Sequence, residues 1–121
     1  MLVRGLSVGL LIVSHGGNDS KSNEIARIHA DRLIGGYDLG IDEVEVASVF
    51  DKDISQKVIS MSSNKVFVLP FLTAPGKHYN EDIPRELEKI EGKDVRLLET
   101  FGDRPQVTDA LAEILEESKQ E

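Results

Sequence analysis

Two histidines occupy the positions where this sequence could carry out chemistry. His15 follows the apolar run Leu6–Val13, and His78 follows a second apolar run, Lys65–Phe71, through a connecting loop. Both runs are typical of buried strands, and segments that leave the carboxyl ends of strands in an open parallel sheet share one crevice, where ligands bind. Two imidazoles in one crevice can bind a divalent metal or move protons near neutral pH. We therefore predict that His15 and His78 are metal ligands and catalytic residues.

The turn that carries His15 contains two glycines in succession. Gly16 and Gly17 allow positive φ and a close approach of the backbone to a ligand, so both are candidate substrate contacts. An ordinary tight turn that holds a histidine by chance is the alternative, and the turn alone does not decide between them. It matches neither the Rossmann fingerprint nor a P-loop. Ser14 is not expected to be a nucleophile with His15 as its base, because adjacent strand residues point to opposite faces.

The loop that carries His78 is longer than a strand-to-helix connection requires. Long loops in small domains often bind ligands, whereas a surface loop with a solvated histidine is the alternative. Pro75 and Gly76 shape the loop, and Lys77 adds positive charge. The candidate substrate contacts in this loop are Thr73, Ala74, Pro75, Gly76 and Lys77.

Two carboxylates follow His78 at helical spacing. Glu81 stands three residues and Asp82 four residues after the histidine, so either one shares a face with it if a helix has begun. A carboxylate there could orient the imidazole or add an oxygen ligand. Acidic residues in the first turn of a helix also interact favourably with the helix dipole, which is the structural alternative. We assign the catalytic role to Glu81 ahead of Asp82.

Three other polar residues need an assignment. Glu99 and Thr100 end the fourth predicted strand and would face the same crevice, so they are candidates for substrate contacts. His29 lies in the middle of the first predicted helix, with no turn glycine beside it. We expect His29 to be a surface or boundary residue without a functional role.

The composition limits the classes of protein to which the chain can belong. Its 121 residues, 40% apolar and 30% charged, predict a single globular domain over residues 1–121. There is no cysteine, so only nitrogen and oxygen atoms can hold a metal. A formal net charge of −8 argues against nucleic acid and anionic membranes as partners. The apolar run near the N-terminus is too short to span a bilayer, and we expect a cytoplasmic protein.

Strand and helix patterns alternate along the chain. Strands are predicted at Leu6–Val13, Val44–Phe50, Lys65–Phe71 and Val95–Glu99. A segment of helical period follows each strand. This alternation predicts an α/β fold: a three-layer sandwich with a four-stranded, mostly parallel sheet in the order 2-1-3-4.

The first and last helix patterns also predict caps and buried faces. For the first helix, the cap candidates are Asn18, Asp19 and Ser20, and the expected buried stripe is Ile25, Ile28 and Leu33. In the last helix, Asp103 and Gln106 have the spacing of a capping box. The apolar stripe expected there is Val107, Ala110, Leu111, Ile114 and Leu115.

Three segments of the chain carry a resemblance to a known family. They are LLIVSHGG near the start, VFVLPFLTAPGKHYNEDIPREL in the middle and ETFGDRPQVTDALAEIL near the end. Together they resemble the small CbiX-type sirohydrochlorin cobaltochelatases, short archaeal members of the class II tetrapyrrole chelatases. The most specific part is a strand ending in L-P-F, then a glycine-bearing loop, a histidine and E-D-I-P.

The resemblance implies that the protein inserts a divalent metal into sirohydrochlorin in cobalamin or related tetrapyrrole biosynthesis. Cobalt is the expected metal, nickel and iron are the alternatives, and no organic cofactor is needed. His15 and His78 would hold the metal. The chain would be a chelatase-like half-domain that works as a homodimer with a shared cleft. Because sirohydrochlorin carries eight carboxylates and the chain is acidic, nearby cations would have to offset the repulsion; the candidates are Lys77, Lys21 and Arg104.

Two other functions compete with metal insertion. A non-catalytic carrier of metal or tetrapyrrole could use the same two histidines. A receiver-like or flavodoxin-like regulatory domain is disfavoured, because no acidic cluster ends the first strand and the Gly16-Gly17 turn lacks serine or threonine phosphate ligands.

Overall fold

Four strands and four helices alternate along the residues that the computed structural model describes, 7–17 and 21–120. In chain order they are β1 (Val8–Ser14), α1 (Lys21–Gly36), β2 (Glu43–Ser48), α2 (Ile54–Ser60), β3 (Lys65–Pro70), a single π-helical turn (His78–Asp82), α3 (Ile83–Leu87), β4 (Asp94–Leu97) and α4 (Pro105–Lys119). The strands form one parallel sheet in the order β2-β1-β3-β4. The predicted α/β fold and strand order are confirmed.

β1 lies in the middle of the sheet because its residues are suited to burial on both faces. Every residue of β1 after Val8 is buried. Ser14 is in register with Ser48 of β2, and Val13 is in register with Pro70 of β3, so the three strands end at one edge. Pro70 is the last residue of β3, where its missing N–H costs no ladder bond. The segments that follow β1, β2 and β3 therefore meet at this carboxyl edge.

The helices cover the two faces of the sheet unequally. On one face, which we call the α1 face, α1 packs on β1 and β2. On the opposite face, the α2–α3 face, residues of α2 and α3 pack into the larger core. In β3, Val66 and Val68 of the α2–α3 face are fully buried, whereas Phe67 and Leu69 of the α1 face are only half-buried. The α1 face is therefore incompletely covered over β3.

The buried stripe of α1 differs from the one expected. Ile25 and Ile28 are 43% and 47% exposed, whereas Ala26 and Ala30 are fully buried. Leu33 is partly buried, as expected. The two alanines bring α1 close to the sheet, and this close approach turns the bulkier isoleucines outward. The prediction for Ile25 and Ile28 was therefore wrong.

α4 forms where it was predicted, but its cap and its packing differ. The helix begins at Pro105, whose fixed φ suits the first helical position. The residue before it is Arg104, which makes no side-chain capping bond, so the predicted capping box at Asp103 does not form. Val107 is half-buried, and every residue from 108 to 120 is exposed.

The remaining differences are small. β2 ends at Ser48 rather than Phe50, and β4 ends at Leu97 rather than Glu99. The cap candidates at 18–20 lie outside the described residues. Within the described part of the chain, no helix has the length and apolar content that crossing a membrane requires.

Candidate active site

The turn that carries His15 is fixed by its glycines and by the strand beside it. Gly16 and Gly17 have φ of +81° and +136°, which other residues rarely adopt. A Cβ atom on Gly16 would lie 2.6 Å from the Ser48 Oγ and 2.9 Å from the Phe50 Cβ, so a side chain there would force its neighbours apart. The turn therefore has one defined path, and His15 leaves the carboxyl edge of β1 along it.

Four polar side chains below this turn tie the ends of β1 and β2 together. Ser14 and Ser48 are fully buried. Ser14 donates a hydrogen bond to the Asn23 Oδ1, and Ser48 donates one to the Asp51 Oδ2 at 2.6 Å. The Asn23 Nδ2 donates to the same Asp51 oxygen at 3.3 Å. Sequence analysis missed Asn23 and Asp51. The available signal was a serine at the end of each buried strand, since a buried hydroxyl needs a partner.

His78 is the first residue of the π-helical turn, and its ring is oriented by Asp82. The His78 Nδ1 lies 2.8 Å from the Asp82 Oδ2. This hydrogen bond holds the pKa of the Asp82 carboxyl below its ordinary value of 3.8, and the positive charges of Lys77 and Arg85 act in the same direction. An ionised carboxylate can only accept, so Nδ1 carries the proton. The Nε2 of neutral His78 is then unprotonated, which is the form of imidazole nitrogen that can bind a metal.

The two histidine rings meet at the carboxyl edge. The ring centroids of His15 and His78 lie 4.9 Å apart, at an interplanar angle of 69°. Two imidazoles that share one metal, with metal–nitrogen distances of about 2.1 Å, have centroids about 4.6 Å apart at a right angle and about 5.3 Å apart at the tetrahedral angle. The observed centroid separation lies between these two values, so the rings are close enough to bind one metal ion together.

The predicted loop contacts lie beside His78, whereas Glu81 is set apart from it. Residues 72–77 and His78 line a cavity of about 410 Å³. Glu81 is exposed, and its carboxylate makes no hydrogen bond or ion pair with another described residue. The carboxylate that orients His78 is therefore Asp82, and Glu81 is left at the surface of the same turn.

The connection between β4 and α4 is in close contact with the loop that carries His78. A Cβ atom on Gly102 would lie 1.7 Å from the carbonyl oxygen of Thr73, so only glycine allows this approach. Glu99 and Thr100 line a cavity of about 530 Å³ together with Thr73 and other loop residues. The two residues considered for substrate contacts thus lie next to the loop. Gly102 was not predicted, and an isolated glycine in a connection gave no sufficient signal.

The three cations considered as charge partners of the substrate, and His29, differ in their surroundings. Lys21 pairs with Glu24 at 3.4 Å, and Arg104 pairs with Glu99 at 3.1 Å, so each has an acidic neighbour. Lys77 is exposed and makes no ion pair with another described residue. His29 is half-buried against the ring of Phe71, at 5.4 Å between centroids.

If the histidine pair binds a metal, it forms an open site rather than a closed one. Among residues 7–17 and 21–120, no three or more histidine, aspartate and glutamate side chains are grouped so that they could hold a metal ion. A structural metal site normally supplies all of its ligands from the protein. Two nitrogen ligands leave several coordination positions for water or for another molecule. Such a site can hold a metal and also give it up.

The fold and the histidine pair define a class: a small parallel α/β domain that presents two imidazoles at the carboxyl edge of its sheet. The CbiX family model matches residues 9–118, and the chain belongs to the CbiX family.

Relatives and a solved structure agree with this placement. A sirohydrochlorin cobaltochelatase of Sulfurisphaera tokodaii is 32% identical over 93% of this chain and 92% of its own length. One of Sulfolobus acidocaldarius is 27% identical over 92% of each chain. A crystal structure described as a CbiX protein of cobalamin (vitamin B12) biosynthesis from Marinobacter aquaeolei VT8 superposes with a TM-score of 0.70 at 21% identity. It covers 93% of this chain and 98% of its own, and it shows the shared fold.

Proposed function

We propose that this protein is an enzyme that inserts a divalent metal into sirohydrochlorin. The observation that carries the proposal is the His15–His78 pair, with ring centroids 4.9 Å apart at an open edge of the sheet. The names of the relatives support the substrate and favour cobalt as the metal. Nickel and iron are the alternative metals, because both also accept imidazole nitrogen.

The proposed reaction exchanges two protons for one metal ion. The Nε2 atoms of His15 and His78 hold the hydrated ion and replace part of its water shell. Nitrogen lone pairs of the macrocycle then replace the remaining waters and finally the two imidazoles. Two pyrrole N–H protons leave as the metal enters, so the charge balances. We assign their acceptance to the Glu81 carboxylate and to an imidazole once it has released the metal.

The substrate contacts predicted from the sequence are part of this proposal. Gly16 and Gly17 would let the macrocycle approach the backbone beside His15. The loop from Thr73 to Lys77 would contact it on the His78 side, with Lys77 facing a carboxylate. No organic cofactor has a role in this chemistry. We place the reaction in the cytoplasm and treat residues 1–121 as one domain.

Turnover distinguishes an enzyme from a carrier with the same histidines. Free-base sirohydrochlorin is incubated anaerobically with Co²⁺, Ni²⁺ or Fe²⁺ and a substoichiometric amount of protein, and the absorbance change is followed. We expect the product to exceed the protein many-fold with at least one metal. Product that stops at one equivalent of protein would indicate the carrier.

The histidine assignment has a matched test in the same assay. The double variant His15→Ala/His78→Ala should react no faster than the protein-free mixture, because the metal has lost both ligands. His29→Ala makes the same substitution outside the site and should retain activity. Circular dichroism checks that each variant is folded. A double variant with near wild-type activity contradicts the assignment.

We further propose that the working unit is a homodimer with a shared cleft. The apolar stripe of α4 is not covered by the residues that the structure describes: Leu111, Ile114 and Leu115 are 57%, 59% and 65% exposed. The α1 face over β3, with half-buried Phe67 and Leu69, also needs cover. Exposed apolar patches of this kind usually mark interfaces. A second copy would bring a second histidine pair to the edge where α4 begins.

A further inference from the structure

A second cavity reaches both histidine segments from the α2–α3 face. It has a volume of about 660 Å³ and lies between the β2–α2 connection and α3. His78 lines it on one side. Phe50 lines it on the other, and the Phe50 amide donates a hydrogen bond to the His15 carbonyl oxygen at 3.1 Å. None of the loop and turn residues 16–17 and 73–77 lines this cavity.

The cavity is lined by three cations in an otherwise acidic chain. Lys52, Arg85 and Lys89 face two carboxylates, those of Asp82 and Glu86. Both carboxylates already have partners. Asp82 accepts the hydrogen bond of His78 at 2.8 Å, and its distance to Arg85 is longer, 3.7 Å.

The second carboxylate of the cavity, Glu86, is satisfied in the same way. It accepts hydrogen bonds from the Ser55 hydroxyl at 3.2 Å and from Lys89 at 2.5 Å. Burial raises the pKa of Glu86, but the bonds from Lys89 and Ser55 outweigh it and hold the pKa below its ordinary value of 4.5. Lys52 makes no ion pair with any described residue. Lys52 and Arg85 are therefore the cations with most capacity for an external anion.

Apolar surface accompanies these charges. Phe50 is 56% exposed although it lines the cavity, and Ile54, 1% exposed, also contributes to the wall. A flat apolar ring with carboxylate arms fits such a mixed lining, because its ring can contact Phe50 while its arms reach Lys52 and Arg85.

The cavity of about 530 Å³ beside the His78 loop lacks this group of cations. It is lined by Glu99 and Asp103 and by no lysine or arginine. Arg104 offsets the charge of Glu99, with which it pairs at 3.1 Å. The carboxylates of an anionic ligand that approaches the histidines should therefore favour the cavity of Lys52 over that of Glu99.

We propose that the cavity lined by Phe50, Lys52 and Arg85 is the subsite for the carboxylate arms of an anionic tetrapyrrole. This inference rests on the proposed function, and it states which side of the histidine pair the arms occupy. Lys52 and Arg85 bind carboxylates directly, and Phe50 contacts the ring.

Binding of the metal-free substrate tests the subsite. The affinity of free-base sirohydrochlorin is measured by absorbance titration for wild type, Lys52→Glu, Arg85→Glu and the double variant. We expect Kd to rise about tenfold or more in the double variant, which corresponds to the loss of about 1.4 kcal/mol. The turnover rate at saturating substrate should change much less. Arg85→Lys should restore most of the affinity, because it keeps the charge near Asp82.

The control is a charge reversal of the same size elsewhere. Arg32 is exposed near the end of α1, which runs from the carboxyl edge of β1 towards the opposite edge of the sheet. Arg32→Glu should therefore leave Kd near the wild-type value. A second readout compares porphyrins with eight and with four carboxylates. Wild type and Arg32→Glu should prefer the first, and the Lys52→Glu/Arg85→Glu variant should lose that preference.

The outcomes separate the two proposals. If wild type binds and metallates sirohydrochlorin but the double variant matches Arg32→Glu, the subsite is wrong and the proposed function stands. If wild type neither binds nor metallates sirohydrochlorin, the proposed function is wrong and the subsite is lost with it.

Discussion

At the scale of single residues, Glu81 and Asp82 are neighbouring carboxylates with different relations to His78. Both carboxylates had the spacing to reach His78, and first-turn acids are common in helices. The π-helical turn, which no periodicity predicts, sets which side chain lies beside the histidine. It places Asp82, four residues on, at 2.8 Å from the His78 Nδ1 and leaves Glu81 exposed. The meeting of the two histidines was predictable, because each follows a strand that ends at the same edge, whereas their role as metal ligands stays a prediction.

Asp82→Asn and Glu81→Gln should therefore have different effects. Loss of the Asp82 carboxylate removes the group that fixes the tautomer of His78, so we expect metal affinity to fall by about 10–100-fold. Glu81→Gln should leave metal affinity within about twofold of wild type and lower the turnover rate instead. Cobalt titration followed by visible absorbance measures the first effect, and steady-state kinetics measures the second. Equal losses of metal affinity in both variants would contradict the assignment of Asp82 as the orienting residue.

Alanine substitutions at the two glycines beside His15 should lower stability by different amounts. Gly16→Ala places a Cβ atom 2.6 Å from the Ser48 Oγ in addition to the positive φ, whereas a Cβ atom on Gly17 would meet nothing within 4 Å. We expect Gly16→Ala to lower the free energy of unfolding by about 2–4 kcal/mol and Gly17→Ala by about 1 kcal/mol. Urea denaturation measures both. Two variants of equal stability would show that the contact with Ser48 relaxes at no cost.

At the scale of elements, Glu43 connects β2 to the segment before β3. Its carboxylate accepts hydrogen bonds from the Ser62 amide at 3.2 Å and from the Ser63 amide and hydroxyl at 2.7 and 2.5 Å. Burial raises the pKa of Glu43, but these bonds and the charge of Lys93 outweigh it, so its pKa lies below its ordinary value of 4.5. The stability that Glu43 provides is therefore present above pH 4.5 and is lost as the pH falls through the lower pKa of the folded state.

Glu43→Gln should remove this pH-dependent contribution to stability. At pH 7 we expect it to lower the free energy of unfolding by about 1–2 kcal/mol, and the difference from wild type should shrink below pH 4.5. Glu45→Gln is the control on the same strand. The Glu45 side chain is 41% exposed and makes ion pairs of 3.6 Å with Arg27 and Lys57. Its replacement should therefore lower the free energy of unfolding by less than about 0.5 kcal/mol. Denaturant melts at several pH values provide the comparison, and a Glu43→Gln effect that does not change with pH would refute the linkage.

Strand patterns predicted the sheet better than helix patterns predicted the helix faces. Continuous apolar runs left few alternatives for β1 and β3, and Pro70 marked the end of β3. In α1, the isoleucines suggested one buried stripe, but the close approach of Ala26 and Ala30 to the sheet determined another. Side-chain size at a contact depends on the distance between the packed elements, which a single sequence does not contain.

At the scale of the whole molecule, the exposed α4 predicts the state of assembly. Leu111→Glu/Ile114→Glu places two charges on the apolar stripe, so we expect a monomer with little activity and an intact circular dichroism spectrum. Asp109→Lys/Glu113→Lys also changes two charges, but on the opposite side of the helix, and should remain dimeric and active. Light scattering at micromolar concentration measures the molar mass. A wild type that is monomeric and fully active would rule out the shared cleft.

If the protein dimerises through α4, the contact between Gly102 and Thr73 would couple assembly to the His78 site. Since Gly102 lies directly against the carbonyl of Thr73, the path by which the chain leaves β4 for α4 cannot change unless the His78 loop moves as well. In a dimer joined through α4, subunit association and substrate affinity are then thermodynamically linked, and each strengthens the other by the same factor. Dilution into the monomer range should raise the apparent KM before it removes activity altogether. A protein built in this way would sense its own concentration.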